Sequence, residues 1–161
     1  MKHIYWVIEG KLAGRPGPIW APWKPQAFYE AGFRTVVSLA AEVEVEDLTA
    51  YGFEHYTPAF PPMFLRSEGL QKAFLHEALP VWRFIDEQLQ AGRPTLVHCQ
   101  AGKDRTGAIL AGHLVLYEGW EPPKAIDYLQ TLKERALGAE GYEEAILRLE
   151  PGTLPDPRTL L

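Results

Sequence analysis

Apolar positions along the chain fall into short blocks and longer periodic runs, and the two kinds predict different elements. Tyr5–Ile8 and Lys11–Ala13 suit two short strands, after which Gly14-Arg15-Pro16-Gly17-Pro18 and Ala21-Pro22-Trp23 break any regular pattern. Pro25–Ala31 suits a short helix stopped at Gly32. Thr35-Val36-Val37-Ser38-Leu39 is apolar and rich in β-branched residues, as a buried strand requires. An acidic helix is expected around Glu44–Tyr51, a strand over Phe53–Tyr56, and a loop at the proline-rich Pro58–Pro62. Leu70, Phe74, Ala78, Trp82, Ile85 and Leu89 recur at helical spacing behind the capping residue Ser67. They predict a long helix to about Ala91, kinked or divided at Pro80. Thr95-Leu96-Val97 is a short buried strand. Helices are expected over Arg105–Tyr117, Pro122–Leu137 and Tyr142–Leu149, with an irregular tail over about 151–161.

Strands alternating with helices, then a helical cluster, predict an α/β fold with a mostly parallel central sheet of four to five strands. At 161 residues, with 47% hydrophobic and 23% charged residues, the chain suits a single domain over residues 1–161. A net charge of −5 disfavours nucleic acid or an anionic membrane as a partner, while leaving room for a small positive pocket. The lone cysteine excludes an internal disulfide, and neither a signal peptide nor a membrane span is expected. A reducing, cytoplasmic setting follows as the expectation, with a monomer as the simplest state.

One segment changes the picture. Leu96-Val97-His98-Cys99-Gln100-Ala101-Gly102-Lys103-Asp104-Arg105-Thr106-Gly107 runs from a buried strand through a tight loop into a helix. Backbone N–H groups of Gln100, Ala101, Gly102, Lys103, Asp104 and Arg105 can converge there on an anion, helped by the helix N-terminus. Arg105 can fork two N–H groups onto phosphate oxygens. A helix N-terminus and nearby cations favour the thiolate form of a cysteine, and Cys99 is the expected nucleophile, forming a phosphocysteine. Thr106 can donate a hydrogen bond to the sulfur, and His98 suits a structural role behind the cysteine. The triphosphatase-type Gly-Lys-Ser/Thr loop is excluded, because Asp104 follows Gly102-Lys103.

The segment resembles the signature of the protein tyrosine phosphatase superfamily, in which five residues separate Cys from Arg and Ser or Thr follows. Lys11–Pro16, Ala31–Leu39 and Gly119–Ile126 are similar to stretches of its small dual-specificity and bacterial tyrosine-phosphatase-like branch. The resemblance implies a dual-specificity-phosphatase-like fold acting on phosphotyrosine, phosphoserine or phosphothreonine, or similar aryl and alkyl phosphates. The partner is then a phosphorylated protein or small molecule. It also implies an acid aspartate after the strand at Phe53–Tyr56, where this chain has Tyr56-Thr57-Pro58-Ala59-Phe60-Pro61-Pro62 and no carboxylate. Variant loops with Lys-Asp-Arg point to Asp104 as the acid. Glu68 is the alternative if the Phe60–Ser67 loop folds over the pocket.

Lys103 is either a solvent-facing lysine or a second cation for a second phosphate, as in phosphoinositide and inositol phosphate phosphatases. A phosphate-binding module with little turnover is the competing class, and an arsenate reductase is disfavoured because further thiols are lacking. Arg15, Lys24 and Arg66 are candidate rim charges or plain surface residues. Trp20, Trp23, Phe28 and Tyr29 suit packing better than a pocket wall. Glu42, Glu44, Glu46 and Asp47 read as a solvated helix face. The histidines have no metal-ligand spacing, so neither a metal nor another cofactor is expected.

Overall fold

A computed structural model describes residues 1–161. Its sheet contains β1 (Tyr5–Ile8), β2 (Leu12–Arg15), β3 (Thr35–Ser38), β4 (Glu54–Tyr56) and β5 (Thr95–His98), in the order β1-β2-β5-β3-β4. β1 and β2 form the antiparallel pair, and the other neighbours are parallel. β5 is therefore central, and β2, β3 and β5 are buried throughout. Their apolar middles, Val36-Val37 and Leu96-Val97 among them, suit strands covered on both faces, with buried polar residues such as Arg15, Ser38 and His98 at the strand ends.

The helices are α1 (Pro25–Glu30), α2 (Glu68–Gln90), α3 (Arg105–Glu118), α4 (Pro122–Leu132) and α5 (Tyr142–Leu147). One face of the sheet meets the main core, where Val37 and Val97 pack with Trp82, Ile109 and Ile146. The other meets a smaller cluster containing Phe28, Phe33, Leu48 and Phe53. α3 is buried along almost its whole length, which is why Gly107, Ala108, Ala111 and Gly112 are needed to keep it slim. A Cβ at Gly112 would lie 2.2 Å from the Trp82 ring, whose indole N–H donates to the Ile109 carbonyl at 2.8 Å.

Several expected boundaries move. α2 runs through Pro80 as one helix, because Pro80 is exposed and water can reach the carbonyl it leaves unpaired. Ser67 caps it, its hydroxyl accepting from Leu70 N–H at 3.1 Å. The acidic segment is not a helix from Glu44. Only a 3-10 turn forms, at Leu48–Tyr51, capped by Asp47 and ended at Gly52. Val43 and Val45 are drawn into the apolar clusters instead. α4 stops at Leu132, because residues beyond it are tied to the loop after β5, and α5 ends at Leu147. The tail carries a second 3-10 turn, Pro157–Leu160, that packs on α2 and buries Leu160. No helix is long and apolar enough to cross a membrane.

Candidate active site

The loop between β5 and α3 is shaped by what its carbonyl groups bond. Cys99 O accepts from His98 Nδ1 at 3.1 Å, Gln100 O from Gly17 N–H at 2.8 Å, and Gly102 O from the Tyr5 hydroxyl at 2.6 Å. Lys103 O accepts from Leu137 N–H at 3.0 Å and Asp104 O from Ala108 N–H at 2.8 Å. Carbonyls turned outward leave the N–H groups turned inward. None of the backbone N–H groups of residues 100–104 donates a hydrogen bond within the protein. Gly102 sits in the left-handed region (φ +75°), and a Cβ there would meet the Arg15 backbone at 2.7 Å. Cys99 lies buried at the loop's start.

Arg105, the first residue of α3, reaches back under the loop. Its Nη1 and Nη2 donate to Glu42 Oε1 and Oε2 at 2.7 and 2.6 Å, and Nη1 also donates to the Phe60 carbonyl at 2.9 Å. A guanidinium has five N–H groups, so two remain, on Nε and Nη2, along one edge. An edge of that shape can donate two parallel hydrogen bonds to the oxygens of an anion. Glu42 is thus no member of a solvated helix face: it lies in the turn after β3 and anchors Arg105. The hydrogen bond from Arg105 holds its carboxyl below the usual range. Sequence reasoning missed Glu42, and nothing local marked it among its acidic neighbours.

Asp104 is tied by one oxygen, Oδ1, which accepts from Ala139 N–H at 3.0 Å. It shares a cavity of about 300 Å³ with Arg105, Pro62, Met63, Phe64 and Tyr142. The Tyr142 hydroxyl donates to Met63 O at 2.9 Å, and burial pushes its pKa up to about 12. Glu68 does not line this cavity. Its carboxylate bonds Lys72 at 2.7 Å at the start of α2, which lowers its pKa and disfavours the protonated form an acid needs. Thr106 Oγ1 is buried with no hydrogen-bond partner, an unspent donor just past Arg105.

His98 is fully buried. With Nδ1–H bonded to the Cys99 carbonyl, Nε2 must accept from the Ser38 hydroxyl at 2.6 Å. The Ser38 oxygen then accepts from His55 Nε2 at 2.8 Å. Burial lowers the pKa of His98 to about 4, so the ring is neutral and suited to holding the loop rather than to taking a proton. Arg15 is neither a rim nor a surface charge. It is buried, donates to Ala21 O at 2.8 Å and lies 5.2 Å from the Trp23 and Phe28 rings. Lys24 is exposed, Arg66 pairs with Glu140 at 3.3 Å, and Trp20 stands exposed with its ring 5.7 Å from Lys103 Nζ.

His113, buried on α3 with neither ring nitrogen bonded, also has its pKa lowered by burial to about 4. Between that value and the unfolded value of about 6.5, the unfolded chain binds more protons. Stability is thus full above about pH 6.5 and falls as pH drops toward 4, on the order of 3 kcal/mol for each histidine. Urea midpoints measured across this range are expected to fall, with a shallower slope in His113→Phe. A flat midpoint would contradict this account.

Comparison with known proteins agrees with the fold. The dual specificity phosphatase catalytic domain family matches residues 26–150. Dual specificity protein phosphatase 12 of Rattus norvegicus is 30% identical over 119 residues, 74% of this chain and 34% of the relative. Phosphatidylglycerophosphate phosphatase PTPMT1 of Arabidopsis thaliana is 31% identical over 64 residues, 40% of this chain and 19% of the relative. The chain thus spans about a third or less of the length of these relatives. The crystal structure of Tk-PTP in the active form superposes with a TM-score of 0.73 at 18% identity, covering 91% of this chain and 95% of that one. The chain belongs to the dual specificity phosphatase family, whose catalytic domain it matches over residues 26–150.

Proposed function

We propose that residues 1–161 form one phosphatase domain that hydrolyses phosphomonoesters through a phosphocysteine, with Cys99 as nucleophile, Arg105 as phosphate clamp and Asp104 as acid. The observation that carries this is the run of unspent N–H groups over residues 100–104, beside the free edge of Arg105. Five donors left free in one short loop, at a helix N-terminus, suit the equatorial oxygens of a phosphoryl group. The Cys99 thiolate attacks phosphorus as the ester oxygen departs, and Asp104 gives that oxygen its proton. Water, deprotonated by the same carboxylate, then attacks phosphorus and expels the thiolate. Thr106 supplies a hydroxyl donor for the sulfur as it leaves.

Aryl and alkyl phosphates, including phosphotyrosine, phosphoserine and phosphothreonine, are the substrate class this chemistry covers. A reducing compartment such as the cytoplasm suits a thiol nucleophile. No metal or other cofactor enters any step.

Hydrolysis of p-nitrophenyl phosphate and of an alkyl phosphate across pH, with and without vanadate, tests the scheme. Wild type is expected to hydrolyse both and to be inhibited by vanadate. Asp104→Asn is expected to lose about 10²-fold on the alkyl phosphate, with its poor leaving group, and much less on p-nitrophenyl phosphate. It should also lose the decline on the basic side of the profile. Phosphate binding without turnover in wild type would instead make the protein a recognition module. An unchanged Asp104→Asn profile would remove that residue from the acid role.

A further inference from the structure

The segment joining α4 to α5 closes on the phosphate loop and brings further cations to it. Leu137 N–H and Ala139 N–H bond Lys103 O and Asp104 Oδ1, and the Gln130 amide donates to Ala136 O at 3.1 Å. Arg135 and Leu137 adopt left-handed backbone (φ +64° and +62°), which residues with a Cβ disfavour. Such strain persists only where surrounding contacts hold it, often in segments that grip a ligand.

Two hollows result. Lys103, Asp104, Gln130 and Arg135 border a cleft of about 530 Å³, and Lys103, Lys133, Glu134 and Arg135 border an adjoining one of about 300 Å³. Together they exceed what one phosphate needs and reach the size of small-molecule sites. Lys103, Lys133 and Arg135 form no ion pair, although Asp104 and Glu134 are at hand and the chain carries a net charge of −5. Burial and the charge on Lys103 lower the pKa of Lys133, as expected of two ammonium groups held near each other. Cations kept close without a carboxylate partner suit an anion from outside.

We propose that this cleft is a second anion subsite and that the substrate is a polyol bearing at least two phosphates. One phosphate enters the Cys99 loop for hydrolysis while another is held by Lys103, Lys133 and Arg135. The inference rests on the phosphatase function proposed above. Because Lys103 belongs to the loop itself, the subsites adjoin, which suits phosphates on one small ring better than phosphates on separate side chains of a peptide. The ring is either free or the headgroup of a lipid.

The test compares kcat/KM for a soluble inositol trisphosphate, a phosphatidylinositol bisphosphate in phosphatidylcholine vesicles, a doubly phosphorylated peptide and p-nitrophenyl phosphate. Wild type and Lys133→Gln/Arg135→Gln are assayed side by side, with thermal melting as a check of folding. Wild type is expected to prefer at least one inositol substrate over p-nitrophenyl phosphate by tenfold or more. The double variant should lose about tenfold of that preference, mainly through KM. Preference for the soluble compound identifies a free polyol phosphate, and preference for the vesicle identifies a lipid headgroup; either supports the subsite. A preference unchanged in the variant, no preference in wild type, or a stronger preference for the peptide would overturn it. Turnover of none of the four substrates would instead defeat the phosphatase function itself.

Discussion

Cys99→Ser is expected to abolish turnover, by on the order of 10⁴- to 10⁶-fold, while leaving phosphate binding intact. The two consequences separate because different atoms carry them. In the proposed route the nucleophile is a single sulfur, and a serine hydroxyl in its place is a far weaker nucleophile at neutral pH. The cradle is made of the backbone N–H groups of residues 100–104 and the free edge of Arg105, none of which the substitution touches. Vanadate or phosphate at a hundredfold excess over its Kd should therefore raise the melting temperature of wild type and variant alike. Linkage gives about 2.7 kcal/mol at that excess, or roughly 5–10 °C for a domain of this size. An active Cys99→Ser protein would sink the phosphocysteine route. An inactive variant that also lost the thermal shift would place the cysteine in the binding of phosphate as well.

Arg105→Lys should be nearly as damaging, on the order of 10³-fold in kcat/KM, and Glu42 explains why the change is not conservative. The guanidinium has two edges, one held by Glu42 and Phe60 O, the other without a partner in the protein. An ammonium group lacks the second planar edge, so it either keeps the anchor or meets the phosphate. Burial opposes the charge on Arg105 most strongly, but the hydrogen bonds to Glu42 together with the electrostatic attraction of Cys99, Glu42 and Tyr142 outweigh it, holding its pKa above the ordinary value. Glu42→Gln keeps one acceptor oxygen but removes the compensating charge. We expect about a tenfold loss of kcat from this variant, with a smaller change in KM, because the fork is mispositioned rather than removed. Equal kcat in Glu42→Gln and wild type would show that Arg105 holds its geometry without the carboxylate.

The local physics of the chain was enough to determine much of this. Strand β5, the glycine at 102 and the slim start of α3 share one twelve-residue stretch, so their sequence pattern alone predicts a strand, an anion loop and a helix. Cys99 and Arg105 could be named because their candidate chemistry depends on neighbours in that same stretch, and Asp104 because the stretch resembles variant loops of the phosphatase superfamily. Ser67 likewise marked the start of α2 through a hydrogen bond only three residues long.

What the tertiary structure decided are the contacts between distant segments. Glu42 bonds Arg105 across 63 residues, Tyr5 bonds Gly102 across 97, and Asp104 bonds Ala139 across 35. Each overrode a local preference or left no local trace. The acidic run lost its helix as Glu42 was taken by Arg105 and Val43 by the core, and α4 ended early as Leu137 and Ala139 bonded the loop. The convergence of Lys103, Lys133 and Arg135 belongs here too. Residues on opposite sides of two helices share a cleft only because those backbone bonds fold one segment onto the other, and no periodicity records a bond of that kind.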